Sequence, residues 1–135
     1  LHEPGTSRFL PIWIGTIEAV SIAYAQEGFV HPRPQTHDLL IDIVESLNAT
    51  ISEVCITEIK DKTYFAEITL NTMEGNVTLS SRPSDAIALA IRSNSKITVN
   101  QDLFYQNSIV LIDENNEEIK EFIEFIDVKI TTIVI

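Results

Sequence analysis

Two stretches of this chain share one grammar. "RPQTHDLL" runs from Arg33 to Leu40 and "RPSDAIAL" from Arg82 to Leu89. Each opens with Arg-Pro, continues with a small hydroxyl residue (Thr36, Ser84) and an aspartate (Asp38, Asp85), and then turns apolar. As helix grammar this needs no function. Thr36 and Ser84 suit N-caps, Pro83 presets φ for a first helical turn, and Asp38 and Asp85 would meet the positive end of a helix dipole. Arg33 and Arg82 would then pair with those acids at the surface. The same atoms also suit an anion, because a helix start offers unpaired N–H groups and an arginine adds a planar fork for phosphate or carboxylate. If the two entrances face each other, Arg33, Arg82, Thr36 and Ser84 would hold a phosphodiester. His37 would act as general acid or base, and Asp38 and Asp85 would orient it or bind a divalent metal.

Other polar residues carry weaker signals. Glu18 falls on the polar side of the first helix with Ser21 one turn on; it is either solvated or a third acidic member of the site. Glu58 and Glu67 fall on strands, where they face each other or solvent. His31 reads as an incidental loop residue and His2 as part of a mobile end. Trp13, in "LPIWIG", reads as core or interface because a large indole buries well. The sequence holds no Cys/His zinc spacing, no phosphate-binding glycine loop, no G-x-S-x-G and no EF-hand loop.

Around these residues the pattern alternates between helix and strand periods. "RFLPIWIG" reads as a short strand with Pro11 at an edge or bulge, and "TIEAVSIAYAQEG" as a helix stopped by Gly28. "THDLLIDIVESLN" is amphipathic, with Leu39, Leu40, Ile43, Val44 and Leu47 in one stripe. "TISEVCITEIK", "TYFAEITLNT" and "NVTLSS" are β-rich and separated by hairpin turns "KDKT" and "MEGN", which predicts a three-stranded antiparallel meander. "PSDAIALAIRS" reads as a helix buried on most sides, "KITVN" as a strand, "DLFYQN" as a helical turn, residues 113–127 as an acidic helix and residues 128–135 as a strand. The expected class is α+β, one compact domain over residues 1–135 with helices packed on the meander.

Bulk properties limit the function. The formal charge is −11 over 135 residues, and residues 113–135 carry −5 of it. Such a surface repels polyphosphate at long range, so nucleic-acid binding would need a local basic site or a metal. No apolar run spans a bilayer, the first residues do not read as a signal peptide, and the single cysteine, Cys55, asks for no oxidising compartment. The expected setting is cytoplasmic, without membrane contact.

Four motifs in order, "LPIWIG" followed by "EA", "RPQTHDLL", "ITEIKDKTYFAEI" and "RPSDAIALAIRS", closely resemble the bifunctional nuclease domain family between about Leu10 and Val99. The resemblance implies an α+β fold, a homodimer, and the nuclease activity on DNA and RNA reported for plant members. It brings Glu18, Arg33, Thr36, His37, Asp38, Glu58, Arg82, Ser84 and Asp85 onto matching polar positions without assigning them roles. One departure stands out. Family members usually open with a strand and hairpin before "LPIWIG", and "DVKITTIVI" at the other end looks like that missing strand. Residues 128–135 are therefore either the family's first strand in permuted order or an ordinary C-terminal edge strand.

Two functions follow. One is a phosphodiesterase acting on DNA and RNA, with His37, Asp38, Asp85 and Glu18 as catalytic groups, Arg33, Arg82, Thr36 and Ser84 on the phosphate, and Mg²⁺ or Mn²⁺ at Asp38 and Asp85. The other is a non-catalytic dimeric module that binds a small anion or a protein partner.

Overall fold

The computed structural model describes residues 1–110 and 133–134. The described elements are β1 (Arg8–Phe9), α1 (Thr16–Gln26), α2 (Thr36–Ser46), β2 (Thr50–Lys60), β3 (Thr63–Thr72), β4 (Gly75–Ser81), α3 (Pro83–Ser93), β5 (Lys96–Val99), α4 (Gln101–Asn107), β6 (Ile109–Val110) and β7 (Ile133–Val134). The class is α+β as expected. The acidic helix expected over 113–127 lies outside the described residues.

The meander forms as its turns dictate. Asp61 and Lys62 both take positive φ between Lys60 and its partner Thr63, the geometry of a two-residue hairpin turn that matches strand twist. Thr72 pairs with Gly75, whose φ of 120° no side-chain-bearing residue adopts readily. The sheet order is β4-β3-β2-β5-β7. It is mixed rather than purely antiparallel. α3 carries the chain back across the sheet, so β5 runs parallel to β2, and β7 runs parallel to β5. A separate antiparallel pair joins β1 to β6. The strand expected over "RFLPIWIG" is confined to Arg8–Phe9, and the chain from Leu10 to Gly15 runs irregularly into α1.

The core sits between α3 and the sheet. Ala86, Ile87, Leu89 and Ala90 of α3 meet Val54, Ile56, Ala66, Ile68 and Ile97, with Leu10 and Phe104 closing the ends. α3 is buried on most sides, as its unbroken apolar run predicts. α1 and α2 form an outer layer packed chiefly on α3. This corrects the expected dry stripe of α2, and the apolar face of α1 behaves alike. Ile22, Ile41 and Val44 reach the core, whereas Ile17, Leu39 and Leu47 stay 84%, 51% and 72% exposed. An outer helix resting on a narrow helix buries less than one resting on a sheet, so most of each stripe is left in water.

The two helix entrances differ by a register that the letters hide. Arg82 is the N-cap of α3, held extended by Pro83, so Ser84 stands second in the helix rather than at the cap. Gln35 is the N-cap of α2, and Thr36 is its first helical residue. Arg33 therefore stands two residues before its cap, while Arg82 is itself the cap. The acids do correspond. Asp38 and Asp85 each occupy the third helical position, as does Glu18 after the N-cap Gly15 of α1.

Candidate functional site

α3 supplies the rail on which the site is built. Asp85 and Arg92 lie seven residues apart, two turns and about 10 Å along one helical face. The first turn of α2 crosses that face, with His37 toward Asp85 and Asp38 toward Arg92. α1 lies alongside and contributes Glu18 and Ser21. The result is one continuous chain of polar contacts: Asp38, Arg92, Ser21, His37, Asp85, Arg82, Glu18.

The distances give the chain a direction. Arg92 Nε donates to Asp38 Oδ1 at 2.6 Å, its Nη1 to the Ala88 carbonyl at 3.0 Å, and its Nη2 to Ser21 Oγ at 3.2 Å. Ser21 Oγ lies 2.9 Å from His37 Nδ1, and His37 Nε2 lies 3.2 Å from Asp85 Oδ1. Ser21 accepts from a guanidinium, so its own proton is free to point at Nδ1. The neutral imidazole then carries its hydrogen on Nε2, toward the Asp85 carboxylate. Arg82 grips the same carboxylate with Nε and Nη2 at 2.7 and 2.9 Å and reaches Glu18 Oε1 with Nη1 at 2.9 Å.

These pairings set the charges. Arg82 first, and His37 after it, hold the Asp85 carboxyl below the usual carboxylate range against a desolvation cost that works the other way. Arg92 first, with the Gln35 N–H, does the same for Asp38. Glu18 is lowered by its own backbone N–H and by Arg82. Arg82 is pushed up by Asp85 and Glu18. All three carboxylates are anionic at neutral pH, so none is a proton donor there. The imidazole, with an anion on one nitrogen and a hydroxyl on the other, is the group placed to exchange a proton.

A cavity of about 510 Å³ opens over this chain, lined by Glu18, Ser21, Thr36, His37, Arg82, Asp85 and Arg92 and walled by Ile17, Val20, Tyr24, His31 and Leu40. Five of the expected residues thus converge on it: Glu18, Thr36, His37, Arg82 and Asp85. Asp38 stands behind, tied to Arg92. Ser84 is buried and lines a neighbouring cavity instead. Arg33 is exposed, lines neither cavity and has no side-chain partner among the described residues, because its two-residue offset carries it away from the helix start. The arginine that takes its place is Arg92, which sequence reasoning missed. Its signal is the seven-residue spacing from Asp85, a lone cation at the end of an apolar run.

Three lesser expectations also change. Trp13 is 94% exposed, not core. His2 is buried, stacked on Phe9 and bonded through Nε2 to the Thr6 carbonyl at 2.6 Å. His31 lines the cavity, and its Nε2 is buried without a hydrogen-bond partner among the described residues. Glu58, paired with Lys60, and the exposed Glu67, opposite Cys55, take the solvent-facing alternative expected of them.

Asp38 and Asp85, the expected metal seat, stand at different points of the polar chain, each already facing a guanidinium. Among the described residues no three His, Cys, Asp or Glu side chains converge as a metal site. As placed, these residues do not fit a resident cation.

Comparison with known proteins gives the family. The profile of the bifunctional nuclease domain matches residues 1–111, a wider span than the motifs alone. An uncharacterized protein of Mycobacterium tuberculosis is 36% identical over 136 residues, covering 94% of this chain and 81% of the relative. Bifunctional nuclease 2 of Arabidopsis thaliana is 31% identical over 114 residues, covering 82% of this chain and 35% of the relative. Bifunctional nuclease 1 of Oryza sativa subsp. indica is 26% identical over 119 residues, covering 86% and 36%. The chain spans about a third of those plant nucleases. With the domain profile covering most of its length and its motifs in order, the chain belongs to the bifunctional nuclease domain family.

Proposed function

We propose that this domain hydrolyses phosphodiester bonds in DNA and RNA, with His37 as the proton-transferring group. The observation that carries this reading is the His37–Asp85 contact inside the cavity. An imidazole fixed by an anion on Nε2 and a hydroxyl on Nδ1 is oriented for acid–base work rather than merely filling space. Its neighbours fit the charge of the reaction. Arg82, with a side chain 64% exposed, is reachable by a phosphate, and Arg92 stands behind Ser21. Thr36 offers a hydroxyl at the cavity wall. The nuclease names of the plant relatives support the same chemistry.

Mg²⁺ or Mn²⁺ assistance would require Asp38 or Asp85 to exchange its arginine for the ion, so no step here is routed through a metal. The experiment is cleavage of single-stranded DNA and RNA with Mg²⁺, with Mn²⁺ and with EDTA, by wild type and by Arg82→Ala. Cleavage lost in the variant supports the site, and the EDTA arm decides the metal. Cleavage retained in full by the variant removes the reading.

A second reading has its own support. Both arginines of the site are already neutralised by carboxylates, and the chain carries −11 overall. A non-catalytic module binding a small anion or a protein partner would show ligand-dependent melting and no turnover. The homodimer implied by the resemblance is part of either reading, and the exposed stripe Leu39, Ile43 and Leu47 of α2 is the surface we assign to it. Light scattering on a Leu39→Lys/Leu47→Lys variant checks it, with a shift to monomer expected.

A further inference from the structure

The cavity over His37 does not end at Arg82. A second cavity of about 290 Å³ begins there, and the two share Glu18 and Arg82 in their walls. Arg82 thus stands at the junction of one longer groove. The two arms differ in position but match in character. In the first arm Tyr24 and His31 line the wall, and the Phe29 ring contacts both. The three ring centroids lie 4.9 to 5.2 Å apart, with His31 edge-on to the other two. In the second arm Trp13 and Tyr64 line the wall beside Lys62.

Tyr64 packs partly against the core, but the core does not explain Trp13 or Tyr24. Trp13 is 94% exposed and Tyr24 41% exposed, so the chain leaves large ring faces in water at the mouth of its only well-built polar site among the described residues. The His31 Nε2, buried and without a hydrogen-bond partner among the described residues, adds a polar atom to the first arm.

We infer that the joined groove is a track for single-stranded nucleic acid, with the phosphate at Arg82 and the bases on either side seated against Tyr24–His31 and against Trp13–Tyr64. This rests on the phosphodiesterase reading for what Arg82 holds, and adds to it the form of the substrate. A paired duplex hides its base faces, whereas a single strand can splay successive bases onto aromatic platforms. The acidic surface points the same way. At −11 the chain gains nothing from long-range attraction to a polyphosphate, so affinity must come from short-range ring contacts. With at most Arg82, Arg92 and Lys62 on phosphate, the slope of log K against log salt should be no steeper than about −2.1 for a single strand.

Trp13 is the only tryptophan in the chain, so the groove carries its own reporter. The test is a titration of the full chain with hexathymidylate and with an abasic phosphodeoxyribose chain of equal length. Trp13 emission and the anisotropy of an end label are followed together, and each sample is run on a gel for cleavage. The expected result is quenching of Trp13 by hexathymidylate only, with binding about 100-fold tighter than for the abasic chain, which loses the base contacts of both platforms. Tyr24→Ala should keep the quenching and weaken binding about tenfold, and Trp13→Ala should weaken it similarly by anisotropy. Equal affinity for the two chains, or no binding of either, overturns the inference. So does an emission spectrum that is already blue-shifted and concentration-dependent without ligand, because Trp13 would then be buried in a self-contact. The gel separates this from the nuclease reading. Base-dependent binding without cleavage removes the catalysis and keeps the groove. Cleavage of both chains with equal affinity keeps the catalysis and removes the groove.

Discussion

His37 Nε2 lies 3.2 Å from Asp85 Oδ1, which joins two helix starts 48 residues apart in sequence. The contact turns a repeated motif into a single site, because each entrance supplies what the other lacks. The first brings an imidazole, and the second brings the anion that orients it, already gripped by Arg82.

Asp85→Asn tests that orientation. The amide keeps the size of the carboxyl but loses the charge that faces both His37 and Arg82. Cleavage should fall about 100-fold or more, in line with the loss of positioned acid–base catalysis. The cost in stability should be near 1 kcal/mol, since Arg82 is 64% exposed and its pairs are screened by solvent. Rates and thermal melts on one preparation check both figures.

Arg92 should matter more for folding. Its side chain is 10% exposed and makes contacts with Asp38, Ala88 and Ser21. Removing it leaves a partly buried carboxylate without its cation. Arg92→Met should cost about 2–3 kcal/mol, below the figure for a fully buried pair because Asp38 is 32% exposed. Adding Asp38→Asn to Arg92→Met should recover part of that loss, and a double-mutant cycle by urea unfolding measures the coupling.

Acid should unfold this domain through the same carboxylates. Asp38, Asp85 and Glu18 are all held below their ordinary range in the folded state. Their contribution is therefore complete above the unfolded-state range near pH 4, and it is lost as pH falls through the lower folded values. A plot of Tm against pH should be flat from this source above about pH 5 and should drop below about pH 4. The drop should be shallower in Asp38→Asn and in Asp85→Asn than in wild type.

Much of this was legible in the letters. The meander, the burial of α3 and the two helix starts follow from period, turn residues and helix-start residues, whereas the meeting of the two entrances is a contact across 48 residues that the sequence left conditional. Arg33 misled because the string "RP" occurs twice, but position relative to the helix decides where a side chain points. Arg82 is a cap, and Arg33 stands two residues outside one. Arg92 stayed hidden because its partner, Asp38, is on another helix, and a contact across 54 residues has no local sequence signal. Trp13 was misplaced for a related reason. Apolar character predicts burial on average, but in the loop before α1 Leu10 and Ile12 reach the core while Trp13, next to Ile12, lines the second cavity instead.

The most direct test is a comparison of three proteins prepared side by side: wild type, His37→Ala and Arg33→Ala, assayed on single-stranded DNA and RNA. The site described here predicts that His37→Ala loses at least about 100-fold in cleavage while its Tm changes little, and that Arg33→Ala cleaves like wild type. Undiminished cleavage by His37→Ala, or a loss in Arg33→Ala as large as that expected for His37→Ala, would contradict it.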